Sequence, residues 1–206
     1  MSRGAAWLLA CLVLVPVLVW QLSREHRPMQ PLPVLHTLGG DFTLDSTEGG
    51  RLSLSDLQGQ VVLLNFGFTG CPDVCPTALA RIRDVLGYFE EDRERLRSVF
   101  VTLDPEVDTV DRIGPYVRFF DPDFIGLTGS MAEIAAATEP FKVFYQREKL
   151  ASASGYTINH SSHIYLIDSA GRVRATFAEG VPIGTIASST RQLLAEPVAL
   201  AWRSSK

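Results

Sequence analysis

The stretch from Val61 to Thr77 limits most strongly how this chain can fold. Val61–Phe66 is a nearly continuous apolar run, the pattern of a strand covered on both faces of a sheet. Beyond Thr77, Leu79, Ile82, Leu86 and Phe89 recur at three- and four-residue steps among charges, which predicts an amphipathic helix reaching Leu96. A buried strand that feeds straight into a helix calls for an α/β sandwich. The rest of the chain keeps the alternation. Phe42–Leu44 and Leu52–Leu54 flank Glu48-Gly49-Gly50 as a short hairpin. Ser98–Leu103 and Phe124–Leu127 read as strands, and Val110–Phe120 and Met131–Thr138 as helices. Near the end, Phe141–Tyr145 and Ile164–Ile167 read as a strand pair. Val173–Phe177 is a further strand, and Pro182–Leu194 a closing helix.

The 206 residues suffice for one sizeable core, and 46% hydrophobic against 20% charged residues excludes intrinsic disorder. Residues 31–206 carry 16 basic and 22 acidic groups, which argues against a nucleic-acid partner. Before them, Ala5–Trp20 has no charged residue, a length that just crosses a bilayer. The expectation is a single transmembrane helix, with a cleaved signal peptide as the competing reading. Pro28, Pro31 and Pro33 then mark an extended tether. The division is 1–27 anchor and flanks, 28–36 tether, 37–196 folded domain and 197–206 tail.

Cys11 lies in the apolar run, which leaves Cys71 and Cys75 as the pair that can carry chemistry. They occupy the strand-to-helix connection Gly67-Phe68-Thr69-Gly70-Cys71-Pro72-Asp73-Val74-Cys75-Pro76-Thr77. A helix N-terminus favours the thiolate. A thioredoxin-type redox turn has two residues between its cysteines, whereas three stand here. The wider gap permits a disulfide and also chelation of a soft ion, Cu(I) or zinc. A third donor must come from the four histidines. His26 and His36 fall in the tether. His160 and His163 border a late strand, and their odd spacing turns them to opposite faces of extended backbone, so only one can join the thiols.

Gly67-Phe68-Thr69 with Cys71-Pro72-Asp73-Val74-Cys75-Pro76 resembles the cysteine loop of the Sco/SenC family of membrane-tethered copper proteins. Val101-Thr102-Leu103-Asp104-Pro105-Glu106 with Asp108-Thr109, Gly126-Leu127-Thr128-Gly129, and His160-Ser161 with Tyr165-Leu166-Ile167-Asp168 resemble its further blocks. The resemblance extends over roughly residues 35–195. It departs at Val107 and Val110, at Gly70, and at Asn159, where an acidic residue commonly precedes the histidine.

The resemblance implies a thioredoxin-like sandwich with a central mixed sheet, and one copper ion per chain held by Cys71, Cys75 and His160. The ion is Cu(I), with Cu(II) as its oxidised form. Asp104 is a further candidate, as an oxygen donor or a hydrogen-bond partner behind the ligands, and Asp73 is a candidate partner contact. Either residue equally suits a turn or a helix cap. The implied role is a metallochaperone rather than an enzyme, assisting assembly of the dinuclear copper centre of cytochrome c oxidase. Its partners would be the copper-centre subunit of that oxidase and a copper donor or thiol reductase. A thiol–disulfide oxidoreductase acting on oxidase cysteines, and a copper sensor or buffer, are the alternatives. The implied location is a bacterial inner membrane with the domain facing the periplasm.

Overall fold

A computed structural model of the protein describes residues 30–149 and 155–197. The chain divides into two compact units, Met1–Pro31 and Leu32–Lys206, and the description below concerns the second. The expected anchor over Ala5–Trp20 lies outside the described residues, among which no helix is long and apolar enough to cross a membrane.

Nine strands and four α-helices are formed by the described residues. In chain order they are β1 Thr43–Ser46, β2 Arg51–Ser53, β3 Val61–Gly67, α1 Val74–Leu86, β4 Leu96–Thr102, α2 Val110–Phe120 and β5 Ile125–Thr128. Then come α3 Met131–Thr138, β6 Tyr145–Lys149, β7 Tyr156–His160, β8 His163–Ile167, β9 Val173–Ala178 and α4 Ile183–Ala195. Seven strands form one mixed sheet in the order β2-β1-β5-β4-β3-β8-β9, while β6 and β7 pair only with each other. β3 runs parallel to β4 and antiparallel to β8.

β3 is central, as its composition requires, and all seven of its residues are buried. Val62, Leu64 and Phe66 point to one face, with Phe141, Tyr165 and Ile134 of α3. Val61 and Leu63 point to the other, beneath Leu79 and Ile82 of α1, Ile113 and Val117 of α2, and Ile186 and Leu193 of α4. Phe66, Phe141 and Tyr165 meet edge-on or tilted at centroid distances of 5.3–5.8 Å, the arrangement that ring quadrupoles favour.

Two expectations are corrected. The helix predicted from Thr77 to Leu96 spans only Val74–Leu86. It starts earlier because Pro76 is tolerated in a first turn. It ends earlier because the charged stretch Glu90–Arg95 buries nothing and forms a 3-10 turn, after which Leu96 must pair beside Val61. The predicted pairing of Phe141–Tyr145 with Ile164–Ile167 is also absent. Phe141 closes a 3-10 turn at Glu139–Phe141, Lys142 takes a left-handed φ of 55°, and the chain leaves in a new direction. Tyr145 then begins β6, opposite His160 of β7, and β8 pairs with β3 and β9.

Candidate metal centre

β3 ends at Gly67 against the side chain that begins α1. A Cβ on Gly67 would stand 2.7 Å from Cys75 Sγ and 2.9 Å from the Phe100 ring, so only glycine lets this thiol lie on the strand end. Asp73 is the N-cap residue and Val74 the first helical residue. Cys75 therefore sits in the first turn of α1, and Cys71 precedes the helix rather than sharing a face of it. The loop folds back so that the Cys75 backbone N–H donates to Cys71 Sγ at 3.4 Å. Cys75 is fully buried and Cys71 nearly so, and both are free thiols.

His160 arrives from the other side, as the last residue of β7. Its Nε2 lies 3.3 Å from Cys75 Sγ, and its Nδ1 donates to the Ser161 carbonyl at 3.1 Å. That bond requires a proton on Nδ1 and makes Nε2 the ring nitrogen that faces the thiols. Phe68 meets the imidazole edge-on, 5.9 Å between centroids, and walls one side. The two sulfurs and a ring nitrogen lie within 4.8 Å of one another. Zinc bonds of about 2.3 Å to sulfur and 2.0 Å to nitrogen set the scale for donors around one ion, roughly 4 Å apart. The cluster is close to that size.

The two thiols are unequal. The Cys71 pKa is lowered to about 4, first by the hydrogen bond from the Cys75 thiol, then by one from His160 and by the backbone N–H groups of Asp73 and Cys75, against the opposing effect of burial. Cys75 is raised, because it supplies that proton and because it is buried. In the metal-free protein one negative charge and one proton are shared across the pair.

The remaining expected residues fall outside the cluster. Asp73 is exposed, and its carboxylate makes no cap bond. His163 is not among the converging donors, and its ring lies against Tyr165 at 6.3 Å between centroids. Asp104 is buried but turned away from the sulfurs, toward Arg147 and Tyr156. Asn159, adjacent to His160 on β7, is exposed on the opposite strand face. A Cβ on Gly70 would meet the Phe68 ring at an ordinary 3.5 Å, so a larger residue fits there.

Asp108 is the residue that sequence reasoning missed. It is 1% exposed. Its carboxylate accepts from the Thr69 backbone N–H at 2.8 Å and from the Thr102 hydroxyl at 2.7 Å, and also from the Thr69 hydroxyl. It thereby ties the cysteine loop to the end of β4. Its signals in the sequence are its place in the family block Asp108-Thr109 and the pair of acidic residues four apart directly after a buried strand.

Residues 32–195 match the family described as SCO1/SenC. A SCO2-like protein of Rickettsia felis is 39% identical over 136 residues, covering 66% of each chain. The match thus spans about two thirds of that protein's length. The crystal structure of Arabidopsis thaliana ScoI with copper bound shares the thioredoxin-like fold at a TM-score of 0.71. It is 30% identical, and the match covers 77% of this chain and 99% of that one. BsSco, described as a member of the Sco family of cytochrome c oxidase assembly proteins with a disulfide switch, superposes at a TM-score of 0.64. It is 25% identical, with 82% of this chain and 100% of that one covered. Together with the cysteine loop and the histidine opposite it, the match over residues 32–195 places this chain in the SCO1/SenC family.

Proposed function

We propose that the protein carries one copper ion as cargo on Cys71, Cys75 and His160 and delivers it during assembly of the dinuclear copper centre of cytochrome c oxidase. The observation that carries this reading is the convergence of two sulfurs and an imidazole nitrogen within 4.8 Å. Thiolates are soft donors that select Cu(I), and two with an imidazole supply a three-coordinate set. The similarity to a ScoI with copper bound and to an oxidase assembly protein supports both the cargo and its destination. Residues 1–27 would anchor the chain in a bacterial inner membrane, with the domain in the periplasm and Asp73, exposed beside the site, available to a partner.

Release follows from the same chemistry. Oxidation of the two thiolates to a disulfide passes two electrons to a thiol oxidant and removes both sulfur donors, so cargo transfer and thiol state are coupled. A second reading, a thiol–disulfide oxidoreductase acting on oxidase cysteines, is favoured by the unequal thiols: Cys71 as a ready thiolate and Cys75 as its protonated neighbour. The two part at His160, which thiol exchange does not require. Anaerobic Cu(I) titration of the wild type and of His160→Ala, with oxidase activity measured in a strain carrying each, decides between them. The carrier reading expects both copper retention and oxidase activity to fall, and unchanged values for both would overturn it.

A further inference from the structure

His160 is delivered by a hairpin that belongs to no larger sheet. Among the described residues β6 and β7 pair only with each other, and four of the five β6 residues are exposed. A two-stranded hairpin alone is marginal in water, so its orientation must come from contacts with the rest of the domain. Alternate residues Tyr156, Ile158 and His160 share one strand face. Ile158 is buried in the core cluster, and Tyr156 reaches Asp104.

Asp104 stands just beyond the end of β4 and is 3% exposed. Its Oδ2 accepts from the Tyr156 hydroxyl of β7 at 2.5 Å, and its Oδ1 from Arg147 Nη2 of β6 at 2.6 Å. Each carboxylate oxygen is thus used by a different strand of the hairpin. Arg147 also stacks over the Tyr156 ring, 4.3 Å from its centroid, and its Nη1 reaches Glu106 Oε2 at 2.8 Å. The carboxylate is itself fixed. The Asp104 N–H donates to Thr102 Oγ1 at 2.9 Å, and the Asp104 carbonyl accepts from the Asp108 N–H at 2.8 Å.

We infer that Asp104 is a positioning residue: it latches both strands of the β6–β7 hairpin and so sets where the His160 imidazole stands relative to Cys71 and Cys75. Asp108 holds the cysteine loop, and Asp104, four residues earlier in the same turn, holds the histidine. The Asp104 carboxylate is buried although Arg147 is half exposed; charge-assisted bonds to such a group are directional, so neither strand can swing or slide without breaking one. The consequence for copper rests on the proposed function, whereas the placement of the ring does not.

The test uses Asp104→Asn and Tyr156→Phe, the latter removing one hydroxyl only. In the metal-free protein the ring of Phe68, edge-on to His160, shifts the imidazole resonances. Both variants are expected to move those resonances toward their random-coil positions while the Phe141 and Tyr165 signals stay in place. Cu(I) affinity should fall about 10- to 100-fold in Asp104→Asn, but not at all when the same change is made in a His160→Ala background. Imidazole signals that do not move in either variant, or an equal loss of affinity in both backgrounds, would overturn the latch. If the wild type takes up no Cu(I), the copper reading fails, and the imidazole resonances still decide the role of Asp104.

Discussion

Cys75 and His160 are 85 residues apart in the chain, yet Sγ and Nε2 lie 3.3 Å apart. One belongs to the first turn of a helix packed on the main sheet and the other to the end of a separate hairpin. Their contact depends on Gly67, which leaves room for the thiol, and on the Nδ1 bond to Ser161, which turns Nε2 inward. The third member of the cluster, Cys71, differs from Cys75 mainly in its proton.

That difference predicts a proton count. With Cys71 already a thiolate at neutral pH and Cys75 a thiol, binding Cu(I) through two thiolates must release about one proton per ion rather than two. Calorimetry at about pH 8, in buffers of different ionisation enthalpy, gives the number directly. The affinity should rise about tenfold per pH unit. A release of two protons would mean that Cys71 is protonated in the free protein.

The same asymmetry predicts how the metal-free protein responds to pH. The folded-state value for Cys71, about 4, lies below the free-thiol value of 9.0. Between the two the unfolded chain holds the extra proton, so stability rises with pH across that window and is lost as pH falls through about 4. Alkylation should show it independently. Cys71 is expected to react with iodoacetamide at a nearly constant rate down to about pH 5, with Cys75 protected.

Gly67→Ala places a methyl group against Cys75 Sγ and the Phe100 ring, and neither is a flexible chain end that can move aside. Overpacking of this kind costs about 1–3 kcal/mol. Denaturant unfolding of the metal-free domain should show that loss, and Cu(I) affinity should fall with it because the displaced atom is one of the proposed donors.

How far these features were legible in the sequence follows from what each residue has to satisfy. β3 was plain because burial on both faces leaves Val61–Phe66 no polar alternative. Met131–Thr138 was bounded correctly because Ser130 and Glu133 form a reciprocal cap that shows in the letters. The β6–β7 hairpin was not legible: four of the five β6 residues are exposed, so burial imposes no apolar alternation on that strand, and β7 buries fully only Ile158. His160 could be separated from His163 by strand period and family resemblance, but not from the chain's chemistry alone. Asp104 and Asp108 look like ordinary turn residues, because nothing in a sequence marks a carboxylate whose partners, Thr69, Arg147 and Tyr156, come from distant segments.

Asp108→Ala tests the other half of that turn. The change strands Thr69 and Thr102 without their acceptor in a buried place, and unsatisfied groups of this kind cost about 1–3 kcal/mol each. The cysteine loop should loosen, which predicts that Cys75 becomes open to alkylation and that the His160 resonances shift as Phe68 moves with the loop. A protein still fully protected at Cys75 would show that the loop is held by the helix and Phe68 without Asp108.

Arg174 provides the contrasting case at the opposite end of the sheet. It is 5% exposed, bridges Asp168 at 2.9 Å and Glu196 at 2.7 Å, and donates to the carbonyls of Leu32 and Pro33 where the chain enters the domain. Burial pushes Asp168 up, but hydrogen bonds from Arg172 and Arg174 more than offset this and hold its carboxyl below 3.8. Its contribution to stability is therefore complete above that value and is lost as pH falls through the folded one. Arg174→Met leaves a buried carboxylate short of a partner, which costs about 3 kcal/mol, the low end for a broken buried pair because Arg172 stays. β9 begins opposite Ile167, which pairs with Val62, five residues or about 16 Å from the cysteine end of β3. The variant should unfold at lower denaturant, with a weaker acid-dependent limb, and bind Cu(I) as tightly as the wild type. A parallel loss of copper affinity would mean that the two ends of the sheet are coupled, contrary to the local tethering of the site by Asp104 and Asp108.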